Sequence, residues 1–196
     1  MLQERKDLRK IPVRPADMVR RIQDLPELDA LPAAARRAVD DAIGSVAHGH
    51  RDATRIRYGA LLDAKRDLLW KIYDALGDDR GLRDAVRGFA DANPWVGEYA
   101  AYKTLKRRYD GASWKEWPDH RDPSPVMLGT LWAQRENERE FLFHSWVQMR
   151  LDEQFRAAAE AVNEHGVMLK GDLPILINED SVDTWAHREQ FSTWLR

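Results

Sequence analysis

An aspartate inside an apolar run is the first residue in this chain that needs a chemical reason. Asp172 precedes Leu173-Pro174-Ile175-Leu176-Ile177 and follows Val167-Met168-Leu169. A carboxylate among buried apolar residues is costly unless hydrogen bonds or a cation satisfy it. Two readings fit. In a parallel α/β fold Asp172 would project into an active site beyond the carboxyl ends of the strands. Otherwise it is a structural Asp bonded to nearby backbone N–H groups. The polar run Asn178-Glu179-Asp180-Ser181-Val182-Asp183 comes next, with Trp185 after it. Its plain reading is a helix cap for the segment ending near Trp185, with Asp180 or Ser181 as the capping side chain. The regular ligand spacing and central Gly of a calcium loop are missing.

Other chemistries find little support. With no Cys, disulfides, thiolate metal sites and a Cys nucleophile are excluded. The histidines at 48, 50, 120, 144, 165 and 187 lack the paired helical spacing of zinc enzymes, so core or surface roles are expected. No phosphate loop, dinucleotide Gly cluster or Gly-x-Ser-x-Gly elbow is present. Trp95, Trp114 and Trp117 would suit a sugar-stacking platform, but Trp at this density is also ordinary core material, which is the favoured reading. The pairs Arg20-Arg21, Arg36-Arg37 and Arg107-Arg108 read as solvated helix faces.

The elements that must position these residues are mostly helical. Ala33 to Val46 puts Val39, Ile43 and Val46 on one face. Ile56 to Leu76 repeats apolar residues at steps of three and four, and Gly77 follows where a left-handed cap would sit. A shorter helix is expected around Leu82 to Ala90. Asn93-Pro94 and Ser124-Pro125 each combine a capping side chain with a proline suited to the first turn. The first starts a helix reaching about Tyr109, ended by Asp110-Gly111. After the second, one or two helices are expected, the last from about Asn137 to Gly166. The period then shifts to short apolar runs, as in a helix–strand unit of a parallel sheet.

Composition agrees with a soluble, globular chain. Its 196 residues are 43% hydrophobic and include 8 Trp, 5 Tyr and 5 Phe, enough for a real core. Basic residues number 31 and acidic 33, leaving a net charge of −2, against the basic excess of a dedicated nucleic-acid binder. The charged start Met1-Leu2-Gln3-Glu4-Arg5-Lys6-Asp7 has no apolar signal region, and no stretch is apolar enough to cross a bilayer. A cytoplasmic location is expected.

The stretch Lys170-Gly171-Asp172-Leu173-Pro174-Ile175-Leu176-Ile177-Asn178-Glu179-Asp180-Ser181-Val182-Asp183-Thr184-Trp185-Ala186 resembles a signature of glycoside hydrolase family 77, the 4-α-glucanotransferases. The family pattern is Gly-Asp-(Leu/Met/Ile)-Pro-Ile-Phe-Val, two residues, then Asp-Ser-Ala-(Asp/Glu)-Val-Trp-Ala. This chain departs at Leu176, Ile177, Val182 and Thr184 and keeps the polar positions. Upstream, Ile56 to Leu69, Trp95 to Ala100, Trp114 to Pro118 and Phe143 to Phe155 resemble family segments in the same order.

The resemblance implies a fragment of a (β/α)8 TIM barrel, with helical inserts predominating and one recognisable barrel strand. It divides the chain into a lead-in over 1–54, a helical insert over 55–165, and a barrel strand with its following loop and helix over 166–196. It implies transfer of α-1,4-glucan segments between maltodextrins by a retaining double displacement, with α-1,4-glucans as partners, no nucleic acid or membrane, and no cofactor or metal. By the same resemblance Asp172 is a substrate-binding position, while Asp180, Ser181, Asp183 and Trp185 are structural motif positions. The nucleophile and acid/base carboxylates of the family lie on later strands, so the isolated chain is expected to be inactive. Exposed barrel faces would favour self-association. The alternative from another class is a non-catalytic helical module binding a glucan or a protein.

Overall fold

The computed structural model describes residues 22–49, 54–55, 57–77, 79–171 and 176–191. They form two compact units, one up to Asp79 and one from Arg80.

The first unit holds α1 (Glu27–Ala30), α2 (Ala33–Gly49) and α3 (Tyr58–Leu76). Its core takes Leu28 from α1, Val39 and Ile43 from α2, and Leu61, Leu68 and Ile72 from α3. These positions recur at three- and four-residue steps, so each helix turns one apolar stripe inward. Gly77 ends α3 with φ at +35°, a region that favours glycine, and its N–H donates to the Tyr73 carbonyl.

The second unit contains α4 (Arg80–Ala92), α5 (Pro94–Arg108), α6 (Pro125–Ala133), α7 (Arg135–Glu164) and α8 (Val182–Ala186), with short 3-10 turns at Trp114–Glu116 and Arg188–Gln190. The spine is α7, whose 30 residues contain neither Pro nor Gly. Its first half buries Phe141, Leu142, Phe143, Trp146 and Met149 against α4, α5 and α6. On α5 the matching face is Ala100, Ala101 and Thr104, small residues that let two helix backbones approach closely. Each large side chain buried here contributes about 1.5–3 kcal/mol.

Two expectations are corrected at helix starts and faces. Asn93 precedes α5 but makes no side-chain cap; its Nδ2 instead donates to the Phe89 carbonyl at 2.9 Å, so it closes α4. Ser124 does cap α6, accepting from the Met127 N–H at 3.1 Å. Arg107 and Arg108 are not merely solvated, since they reach across to Glu140 and Asn137 of α7, at 2.8 and 2.7 Å.

No strand occurs among the described residues. Residues 167–171 and 176–177 are described without helix or strand, whereas Asp172 and residues 173–175, the centre of the expected barrel strand, lie outside the described residues.

Candidate functional site

The signature segment is described at 170–171 and from Leu176 onward, and its polar residues from Glu179 converge on α5 and the loop after it. Asp180 is the hub. Its Oδ1 accepts from the Tyr102 hydroxyl at 3.0 Å and from the Trp114 backbone N–H at 3.2 Å. Its Oδ2 pairs with the Lys106 ammonium. Lys106 also donates to the carbonyls of Gly111 and Ala112, at 2.9 and 2.8 Å, so all three ammonium protons are placed. Tyr102 and Lys106 lie one turn apart on α5, which sets both groups side by side.

The electrostatics follow from these partners. Burial alone would raise the Asp180 carboxyl, but the Lys106 ammonium and the Trp114 and Tyr102 donors outweigh it and hold the group below the usual carboxylate range. Burial and the neighbouring carboxylate push the Tyr102 hydroxyl up, so it stays protonated as a donor.

The residues around Asp180 are equally committed to the fold. Ser181 caps α8, and with Thr184 it forms a reciprocal capping box. Of the two capping candidates, then, Ser181 takes the cap and Asp180 the cation. Asp183 is exposed in the first turn of α8, where a negative charge complements the helix dipole. Trp185 is 0% exposed; its ring lies 5.6 Å from Tyr102 and 6.0 Å from Trp117, and its Nε1 donates to the His120 carbonyl at 2.8 Å. His120 takes a positive φ of 65° to present that carbonyl, and its Nδ1 bonds the Tyr109 hydroxyl at 2.8 Å.

Trp114 and Trp117 are core residues, as the plainer expectation had it. Trp117 is fully buried and Trp114 is 6% exposed. The Arg188 guanidinium lies 4.9 Å from the Trp114 ring centre, and the indole N–H donates to the Glu179 carbonyl at 2.8 Å. Neither ring offers a face to a sugar. Trp95, half-exposed on α5, keeps that option.

Sequence reasoning missed Lys106, Glu98, His187 and Arg188. Glu98 Oε2 lies 3.1 Å from His187 Nε2 and makes a second tie between α5 and the signature segment. Arg188 pairs with Asp122 at 2.7 Å, clamping the loop that carries His120. The available signal was the one-turn spacing of Glu98, Tyr102 and Lys106 down a single face of α5.

The arrangement is a docking hub. Its carboxylate is paired on both oxygens, and among the described residues no group of three or more His, Asp or Glu is placed to hold a metal ion. A polar recess of about 400 Å³ lies elsewhere in the unit, lined by Thr104, Arg107, Arg108, Glu136, Asn137 and Glu140, with its charges mutually paired.

The family model of glycoside hydrolase family 77, described as 4-alpha-glucanotransferase, matches residues 21–195. The chain belongs to that family. It is 29% identical over 143 residues to a 4-alpha-glucanotransferase of Streptococcus pneumoniae, covering 72% of this chain and 28% of the relative. A Thermus thermophilus 4-alpha-glucanotransferase is 30% identical over 130 residues, covering 56% of this chain and 25% of the relative. Among solved structures, an amylomaltase from Streptococcus agalactiae in complex with acarbose matches with a TM-score of 0.60 at 22% identity, covering 69% of this chain and 28% of that one. That likeness assigns the fold: the chain is a fragment of the amylomaltase fold, a TIM-barrel enzyme, and no barrel strand occurs among the described residues. The chain thus spans between a quarter and a third of the length of these relatives.

Proposed function

We propose that this family 77 chain supplies the helical insert and the signature-bearing part of a 4-α-glucanotransferase. The whole enzyme would move α-1,4-glucan segments between maltodextrins through a covalent glucosyl–enzyme intermediate, which requires a nucleophile and an acid/base roughly 5 Å apart. In this reading residues 1–54 lead in, 55–165 form the insert, and 166–196 carry a barrel strand with its following loop and helix. Asp172 would sit near bound sugar at the end of that strand. Asp180, Ser181, Asp183 and Trp185 would hold the segment after it in place. No cofactor or metal enters the scheme, and the location is cytoplasmic. Among the described residues no helix is long and apolar enough to cross a membrane.

The observation that carries this reading is the capture of the signature by the insert, with Asp180 held by Tyr102, Trp114 and Lys106. With the catalytic pair on later strands, the chain alone transfers no glucan. Its exposed apolar residues after Met149 support self-association when it stands alone.

The test is a covalent chimera in which this chain replaces the matching segment of the S. pneumoniae relative. Maltotriose should be converted to a ladder of shorter and longer products, and Asp172→Ala should lower the rate. A chimera that folds like the parent but makes no ladder overturns the assignment, as does ladder formation by the 196-residue chain alone.

A further inference from the structure

The seam between α5 and α7 holds the polar recess of about 400 Å³. Thr104, Arg107 and Arg108 reach it from α5, and Glu136, Asn137 and Glu140 from α7. Two of these residues are buried and short of partners. Thr104 is 4% exposed, and its hydroxyl makes no hydrogen bond, not even the common one to a carbonyl a turn back along its own helix. Glu140 is 8% exposed, and its Oε2 accepts from Arg107. Its Oε1 lies 2.7 Å from Arg107 Nε and 3.8 Å from His144 Nε2, yet accepts an aligned hydrogen bond from neither. Leaving such a buried atom unpaired costs about 1–3 kcal/mol, which a bound group could recover. Asn137, by contrast, is engaged at both ends: Nδ2 donates to the Leu131 carbonyl and to Gln134 Oε1, and Oδ1 accepts from Arg108.

The lining also limits what fills the recess. Arg107 pairs with Glu140, and Arg108 lies 3.8 Å from Glu136, so two guanidiniums offset two carboxylates. An anion would meet both carboxylates and a cation both guanidiniums. What is left to bind is a pair of acceptors, the Thr104 hydroxyl and Glu140 Oε1, beside spare guanidinium N–H donors on the exposed Arg107 and the half-buried Arg108. Neighbouring hydroxyls suit that set, because one donates to Glu140 while the next accepts from a guanidinium. The volume is at the small end of the ~300–1,000 Å³ typical of ligand pockets, room for one ring and not for a chain. We propose that the α5–α7 recess is a binding site for a single neutral sugar ring, a glucose unit, taken as free hexose or as the end of a maltodextrin. The choice of glucose among neutral polyols rests on the family reading above; the site itself does not. No aromatic face lines the recess, so hydrogen bonds made in competition with water carry the binding, with a Kd of about 1–10 mM.

The test titrates the 196-residue chain with glucose and, separately, with maltose, following amide shifts over residues 104–108 and 136–140. Saturable one-to-one binding centred on those amides is expected. Thr104→Val keeps the shape and removes the hydroxyl, so it should weaken binding about threefold or more. Because that hydroxyl makes no bond in the free chain, the same variant should melt no earlier than the parent. Arg108→Met should weaken binding about tenfold, through a lost charged donor, and Trp95→Ala should leave it unchanged. Equal binding of the two sugars assigns a free hexose and tenfold tighter maltose a glucan end; either supports the site. Absence of saturation by both sugars overturns the proposal. So does binding indifferent to Thr104→Val and Arg108→Met, binding lost in Trp95→Ala, or displacement of the sugar by inorganic phosphate. A Thr104→Val chain that melts earlier yet binds sugar as before also overturns it, since the hydroxyl would then be holding a structural water. Sugar binding by the chain beside an inactive covalent chimera supports the site and counts against the glucan-transfer reading. An active chimera without such binding counts against the site alone.

Discussion

Removing the Asp180 side chain is the perturbation that bears most directly on how the signature segment is held. Asp180→Ala deletes the acceptor of the Tyr102 hydroxyl at 3.0 Å and of the Trp114 N–H at 3.2 Å, and it leaves the Lys106 ammonium without its carboxylate. A hydrogen bond to a charged group is worth about 1.5–3 kcal/mol, and breaking a fully buried ion pair costs about 3–5 kcal/mol. The pair is not fully buried, since the Lys106 and Asp180 side chains are 20% and 33% exposed. Lys106 also keeps two carbonyl partners in the variant. Discounting for that exposure and retained bonding gives a loss of about 2–3 kcal/mol. In a domain of this size each kcal/mol lowers Tm by about 2–4 °C. The cooperative near-ultraviolet signal of the Trp cluster should therefore melt about 4–12 °C earlier, and amide exchange should accelerate over residues 178–191 while α2 and α3 are unaffected. Asp180→Asn, which keeps an oxygen for Tyr102 and Trp114, should lose about half as much. A double-mutant cycle with Lys106→Met should return a coupling of at least about 1 kcal/mol. An Asp180→Ala loss below about 0.5 kcal/mol, or additive single variants, would refute the hub.

Acidification should act on the same contacts. The Asp180 and Glu140 carboxyls are both held below the usual range despite burial, Asp180 by Lys106, Trp114 and Tyr102 and Glu140 by His144 and Arg107. Their stabilisation is therefore complete above the unfolded carboxyl value of about 4 and is lost as pH falls through the lower folded values. Denaturant midpoints should decline from about pH 7 downward, because burial holds His144 and His120 below the ordinary histidine value of about 6.5, and should drop further below pH 4, with a shallower acid drop in Asp180→Asn. Trp185→Phe should cost about 1–3 kcal/mol through the lost bond to the His120 carbonyl and the unfilled volume, read as a lower urea midpoint at constant slope. Asp183→Asn, which removes only an exposed charge at the start of α8, should cost about 0.3–1 kcal/mol and lose that effect in high salt.

The helices were legible because their signals are local. The apolar steps of α3 and the Ser124-Pro125 start of α6 both depend on residues within a few positions of one another. That Asp180 or Ser181 caps α8 was legible for the same reason, and the structure gives the cap to Ser181. Lys106 was not, because it stands in the run Lys106-Arg107-Arg108, where local pattern reads as a solvated end of helix. Its partner Asp180 is remote in sequence, and only tertiary packing separates a cation turned to the signature segment from neighbours turned to α7. Asn93 failed in the opposite sense. The Asn-Pro pair does mark the start of α5, yet the amide found a better acceptor in the preceding helix, at Phe89. Asp172 was singled out by its apolar surroundings, and its function remains tied to the family resemblance.

The distribution of contacts implies a division of labour within the second unit. Tyr102, Lys106, Glu98 and the loop at Trp114 all reach the signature segment after its expected strand, at residues 179 to 187. Arg188 and Trp185 tie the same segment back to the loop at 120–122. The segment is thus held from both sides without help from any sheet. If the segment serves a sugar site, this polar hub fixes its described downstream end. At the upstream end it is joined to α7, whose second half lies open along one apolar face. This placement gives the two kinds of substitution different effects: changes at Asp180 should loosen residues 178–191 and the loops at 114 and 120–122, whereas changes at the exposed Phe155 should leave the folding stability of the lone chain as it is and alter only its association.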